Sequence, residues 1–141
     1  MQIVHFSENA ADPLTAFGAD RASFVPLADG GGDTHVSCLH LEPGGTVTAP
    51  SIDHAATLLV VHGRLNFTSR GGHDIDLTLH AGMGCVVTAQ EPYAFQTDLG
   101  AIILIVESTT LSPHARGISS PDRIAGATWP SDVLLNPREP T

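Results

Sequence analysis

Short apolar runs, broken by glycine- and proline-rich turns at intervals of roughly eight to twelve residues, constrain this chain more than any other feature. The candidate strands are Gln2–Phe6, Ser23–Leu27, Thr34–Leu41, Thr46–Ala49, Ala56–His62, Arg64–Ser69, Asp74–His80, Cys85–Thr88, Tyr93–Asp98 and Ala101–Ser108. Between them stand Gly30-Gly31-Gly32-Asp33, Pro43-Gly44-Gly45, Ser69-Arg70-Gly71-Gly72, Ala81-Gly82-Met83-Gly84 and Asp98-Leu99-Gly100. Each supplies the positive or fixed φ that a tight turn demands. From Asp74 to His80 the residues alternate strictly, with Ile75, Leu77 and Leu79 on one face. No heptad and no internal repeat interrupts the pattern. The 141 residues make one domain, long enough to bury a core without staples. The expected fold class is all-β, a sandwich or barrel.

Charge removes several function classes. Six basic residues oppose fifteen acidic ones, for a net charge of −9. All the basic residues are arginine, so a lysine Schiff base and a P-loop are impossible. Phosphate contacts need clustered Lys or Arg, and no cluster exists, so nucleic acid is not an expected partner. The longest aliphatic stretch, Ala101 to Val106, is far shorter than the roughly 20 residues of a membrane span. The first residues, MQIVHFSENAAD, carry no signal-peptide pattern, and Cys38 and Cys85 form no disulfide framework. These features predict a cytoplasmic protein with two small, buried thiols.

Leu58–Val61 and Ile102–Val106 are apolar on both faces, as in strands covered on both sides. In a small barrel one side is the lumen and the other a second sheet or subunit, so a homodimer is expected. After residue 108 the character changes. Pro113, Pro121, Pro130, Pro137 and Pro140 crowd the end of the chain, beside Trp129 and Val133-Leu134-Leu135. The expected organisation is a barrel over 1–108 and an arm over 109–141, with a short helical turn near Asp122–Gly126. That arm packs on the barrel or on a neighbouring subunit.

The order of the pieces resembles the cupin superfamily, a double-stranded β-helix or jelly-roll barrel. The family pattern runs G-x5-H-x-H-x3,4-E-x6-G and then G-x5-P-x-G-x2-H-x3-N. Leu41-Glu42-Pro43-Gly44-Gly45 resembles the opening turn of the first motif, and Leu58 to Leu65 its closing strand and glycine. His80-Ala81-Gly82-Met83-Gly84 resembles the opening of the second motif, and Thr97 to Glu107 the final hairpin. The resemblance covers roughly residues 23–108. It implies a site where cupins hold a divalent ion with histidines and a carboxylate or glutamine. Counted along the motifs, Ala56 stands at the glutamate position. Pro50, Ser51, Ile52 and Asp53 span the first histidines, Thr88 replaces the proline and Gln90 the glycine. Tyr93 replaces the last histidine and Thr97 the asparagine. Alanine has no donor and a neutral phenol is a weak ligand. The expectation is a cupin barrel with no metal and no other cofactor.

The catalytic candidates are His54 and Tyr93. Alternation puts His54, Ala56, Leu58 and Val60 on one face, assigned to the lumen. His54 can act as a lone acid/base group or sit idle at the barrel mouth. Tyr93 can donate one hydrogen bond to a carbonyl, or simply close the cavity beside Phe95. Ala56, Leu58, Val60, Phe67, Phe95, Leu104 and His40 are the candidate ligand-binding residues, lining an apolar lumen or filling it. Glu91 reads as a solvated turn residue, and Glu107 as either a solvated strand end or a pocket carboxylate.

Several functions remain open on the sequence. One is a metal-independent module that binds a small, mostly apolar organic molecule. Another is a metal-free isomerase, cyclase or dehydratase using His54 and Tyr93 on a carbonyl compound. A third is a divalent-metal oxygenase or isomerase with ligands rewired to His40, His54 and His62. A solid, non-catalytic structural dimer is the fourth.

Overall fold

Two long, bent strands carry the architecture of the computed structural model, which describes residues 1–31, 33–49, 53–69 and 75–109. The strands are β1 (Asp12–Pro13), β2 (Asp20–Gly30), β3 (Thr34–Ala49), β4 (Ala55–Ser69), β5 (Ile75–His80), β6 (Gly84–Val87), β7 (Tyr93–Gln96) and β8 (Ala101–Ser108). β3 fuses two expected strands, Thr34–Leu41 and Thr46–Ala49, and β4 fuses Ala56–His62 with Arg64–Ser69. The glycines between these pairs bend a continuous strand instead of ending it. At the bend of β3, Gly44 has φ +80, Gly44 N–H donates to the Thr97 carbonyl at 3.0 Å, and Thr97 N–H donates to the Gly45 carbonyl at 3.1 Å.

The bends let each long strand serve two sheets. The first half of β3 pairs β2 and β8, and its second half pairs β7. Likewise the first half of β4 pairs β6 and β8, and its second half pairs β5 and β7. The antiparallel circuit β3–β7–β4–β8–β3 therefore closes on itself. This is the all-β jelly-roll barrel expected from the sequence. Residues 2–6, expected as a strand, pair with no strand among the described residues. Phe6 instead uses its carbonyl to accept a hydrogen bond from His40 Nε2 at 2.7 Å. No described helix is long and apolar enough to cross a membrane.

The core lies between the two curved sheets. Leu58, Leu65 and Ile103 are fully buried and Leu79 nearly so. Leu58 faces Ile105 on β8 and Cys85 on β6 in register. Truncation there leaves a void that neighbours on three paired strands cannot collapse to fill. Leu58→Ala is expected to cost about 3 kcal/mol of stability, read as a lowered urea midpoint at unchanged slope. Leu59 and Val61, which alternate with the buried positions, are exposed, as is Val86 on β6. The expected arm over 109–141 falls outside the described residues, apart from Thr109, as do Pro50, Ser51 and the Arg70–Gly72 turn.

Candidate functional site

Strand alternation sets which side chains reach the lumen. On β7, Tyr93 and Phe95 point inward, opposite Ala49 and Val47 of β3. Leu39 on β3 and Ile103 and Ile105 on β8 face the same interior. Between the sheets lies a cavity of about 460 Å³, within the range of small-molecule sites. Phe24, Leu39, Val47, Ala49, Phe95 and Ile105 form much of its apolar wall. Leu14, Thr15, Ala16 and Phe17 cover one side, and this loop is tied down where Thr48 N–H donates to the Phe17 carbonyl at 2.8 Å.

The polar groups form a row across one rim. Asp29 on β2 is the register partner of His35 on β3, and His35 is the register partner of Glu107 on β8. Asp29, His35 and Glu107 all line the cavity. His35 Nδ1 donates to Asp29 at 2.7 Å, and His54 Nε2 donates to Glu107 at 2.7 Å. The row thus alternates acid and base over neighbouring strands. The Asp29 hydrogen bond holds the His35 pKa above its ordinary value, with the charges of Asp29, Glu107 and Asp33 adding to it.

Tyr93 stands on the cavity wall next to this row. Its ring stacks on Phe67 at 5.7 Å and on Phe95 at 6.2 Å, and its hydroxyl has no hydrogen-bond partner among the described residues. Burial pushes its pKa up to about 12, with the negative charges of Glu107 and Cys85 contributing. Tyr93 is the only tyrosine in the chain, so its titration can be followed alone. The folded pKa lies above the ordinary value near 10, so the protonated phenol stabilises the fold fully below about pH 10. That contribution is expected to drain away by about 1.4 kcal/mol per pH unit between about 10 and 12. Phenolate absorbance should appear near pH 12 in folded protein and near pH 10 in urea, and Tyr93→Phe should lessen the stability loss across that window, the Cys85 thiol, raised to about 12 as well, keeping its own share.

The site differs in part from the sequence expectation. Tyr93 and Phe95 line the cavity. His54 reaches it through Glu107, a pairing across 53 residues that no local spacing signals. Ala56, Leu58 and Val60 face inward as alternation requires, but they are packed core, at most 3% exposed. Phe67 is buried behind Tyr93. Leu104 and His40 do not face the lumen. Leu104 pairs with Cys38 and Leu59 on the outer side of the sheet, because Ile103 and Ile105 take the inward positions. His40 lies on that same outer side, with its Nε2 committed to Phe6 and 3.7 Å from Cys38 Sγ. The sequence reading missed Asp29 and His35; their place on facing strands on either side of the Gly30–Asp33 turn was the available signal.

The second-motif substitutions have structural work. Gln90, at the motif's glycine position, keeps the left-handed φ of +68 and donates to Asp53 at 2.9 Å. Glu91 is not a free solvated carboxylate. It accepts from Thr88 N–H and Thr88 Oγ1 at 3.1 Å and from Ser69 Oγ at 2.6 Å. Thr97, at the asparagine position, donates to the Arg64 carbonyl at 2.8 Å and accepts from Gly100 N–H at 3.0 Å. Burial raises the Cys38 thiol pKa and pushes that of Cys85 up to about 12, so both stay protonated at neutral pH.

A divalent ion does not fit this donor set. No three His, Cys, Asp or Glu side chains among the described residues converge as ligands. The two histidines of the rim row are each bonded to a carboxylate, and the inward positions of the motifs hold Ala56 and Tyr93.

No family model and no curated protein matches the sequence. Solved structures do. The polyketide cyclase RemF from Streptomyces resistomycificus superposes with a TM-score of 0.65 at 17% identity, covering 94% of this chain and 98% of that one. A predicted oxalate decarboxylase from Thermotoga maritima gives 0.65 at 16% identity, over 76% of this chain and 98% of that one. The Schizosaccharomyces pombe Cnp3 cupin domain gives 0.57 at 11% identity, over 64% of this chain and 66% of that one. The closed circuit of strands, the bends at Gly44 and Gly63 and these superpositions together establish that the chain has the cupin fold.

Proposed function

We infer that this chain is a metal-independent cupin that binds a small, mostly apolar carbonyl compound in its lumen and moves a proton on it by acid–base catalysis. The observation that carries this reading is the Glu107–His54 hydrogen bond at the wall of a mostly apolar cavity whose lining also includes Tyr93. Glu107 is the group in contact with the cavity, so its carboxylate takes the proton α to the carbonyl. The electron pair of that C–H bond moves into a new C=C bond, and the carbonyl oxygen gains the negative charge. Tyr93 O–H donates a hydrogen bond to that oxygen. His54 Nε2–H orients the carboxylate from behind, as a positioning residue. Where the substrate carries a C=C bond conjugated with the new enolate, return of the proton from Glu107 to its far carbon completes an isomerisation; where it carries a β-hydroxyl, that group leaves with the same proton as water and completes a dehydration. The name of one structural neighbour, a polyketide cyclase, is compatible with this chemistry, since ring closure between carbonyl compounds also begins by enolisation.

The homodimer expected from the sequence belongs to the same reading. Exposed Leu59, Val61 and Val86 support it, as an apolar patch that a second copy would cover. The test of function needs no native substrate. The chain, treated with a chelator, is mixed with 2-tetralone in deuterated buffer and exchange at the activated CH2 is followed by NMR. Exchange well above buffer, insensitive to the chelator, is the expected result. Tight binding without exchange would leave only the binding half, and exchange that depends on added metal would overturn the reading.

A further inference from the structure

The lumen carries more information about its ligand than size and greasiness. Tyr93 and Phe95 are both walls of the cavity, and their rings are nearly parallel, 12° apart. Phe67 also stacks on Tyr93, with the two rings 22° apart. Phe17 and Phe24 add aromatic surface to the same space. Two near-parallel rings set a common plane direction. A flat guest ring aligned with it keeps full face contact, whereas a puckered ring touches at a few hydrogens.

The charge at the rim is bounded in sign. The ionisable groups lining the cavity are Asp29, His35, Glu107 and Tyr93, with His54 bonded to Glu107. Two carboxylates face at most two imidazolium ions, so the rim row is never net positive while the carboxylates are ionised. The described arginines are committed elsewhere. Arg21 donates to the Pro43 carbonyl at 3.3 Å, and Arg64 lies 3.6 Å from Asp98. An anionic ligand would therefore lose its water and meet two carboxylates, while the rim cations, His35 and His54, are each already bonded to one of those carboxylates. A hydroxyl group, by contrast, has two carboxylates to donate to.

From the ring ladder and the acidic rim together, we propose that the cavity selects uncharged, flat aromatic compounds bearing ring hydroxyl groups and rejects carboxylates of the same size. This rests on the reading of the lumen as a ligand site and gives that ligand its class. The ring faces stack against Tyr93 and Phe95. A ring hydroxyl donates to Glu107 or Asp29, and a ring carbonyl accepts from Tyr93.

Three probes of one size separate the terms: 2-naphthol, 2-naphthoate and decahydro-2-naphthol, titrated calorimetrically near neutral pH. The expected order puts 2-naphthol first, with 2-naphthoate weaker by at least about tenfold and the saturated alcohol weaker by about fivefold. Phe95→Leu is expected to shrink the preference for the flat ring, and Glu107→Gln to shrink the preference against naphthoate, each variant first shown to unfold cooperatively. Naphthoate binding as tightly as naphthol, or the saturated alcohol doing so, overturns this proposal while the lumen remains a ligand site. Binding of none of the three overturns both.

Discussion

Glu107→Gln is expected to lower the rate of proton exchange on 2-tetralone by about 10²- to 10⁴-fold, the span usually lost when a positioned acid/base group is removed. Glutamine keeps the shape and can still meet His54, but its amide cannot accept a proton at a useful pH. Tyr93→Phe keeps the stacked ring and removes the donor proposed for the developing oxyanion, an expected loss of about 10²-fold. In the proposed reaction His54 acts one step removed, on the carboxylate it holds at 2.7 Å. His54→Ala should therefore displace the pH–rate profile as well as lower the rate, and His54→Gln, which retains an N–H donor, should restore part of it. Single-turnover rates of the variants beside their naphthol affinities distinguish lost chemistry from lost binding. If Glu107→Gln exchanges as fast as the parent protein, the acid–base assignment fails.

Gly63→Ala is expected to yield no correctly folded protein. Gly63 lies in β4 at φ +84, at the bend where the strand passes from one sheet to the other. A methyl group there would sit 2.2 Å from the carbonyl oxygen of Gly100 and 2.9 Å from the Cα of Ala101. Both obstacles are backbone, at Gly100 just before β8 and at Ala101 that begins it, and cannot rotate aside as a side chain would. The left-handed φ adds roughly 1–2 kcal/mol for any residue with a Cβ. Moving β8 away would break the pairing that closes the barrel. Soluble expression and the far-ultraviolet spectrum of the variant check this. Gly82→Ala is the informative control, since Gly82 has φ +90 but open space around its missing Cβ. It should fold with a modest loss of stability.

Local chemistry made much of this legible in the sequence. Glycine-punctuated runs and a period of two predict the strands, because turns and pleats are properties of a few neighbouring residues. Ala56, Leu58 and Val60 are inside because Leu59 and Val61 must then be outside. Replacement of the motif donors by Ala56 and Tyr93 is likewise a matter of residue type alone.

Other features needed the folded chain. In Ala101–Val106 every residue is apolar, so alternation has no polar marker to say which set faces in, and register with β3 and β4 decides for Ile103 and Ile105 against Leu104. His40 faces outward because a carbonyl of the N-terminal segment covers it, a contact 34 residues away in the chain. The union of His54 with Glu107, and the row from Asp29 through His35 to Glu107, exist only because strands distant in sequence become neighbours in the barrel. Residue type and spacing therefore determined the scaffold and the donors it lacks, whereas strand register decided which remaining side chains share the cavity.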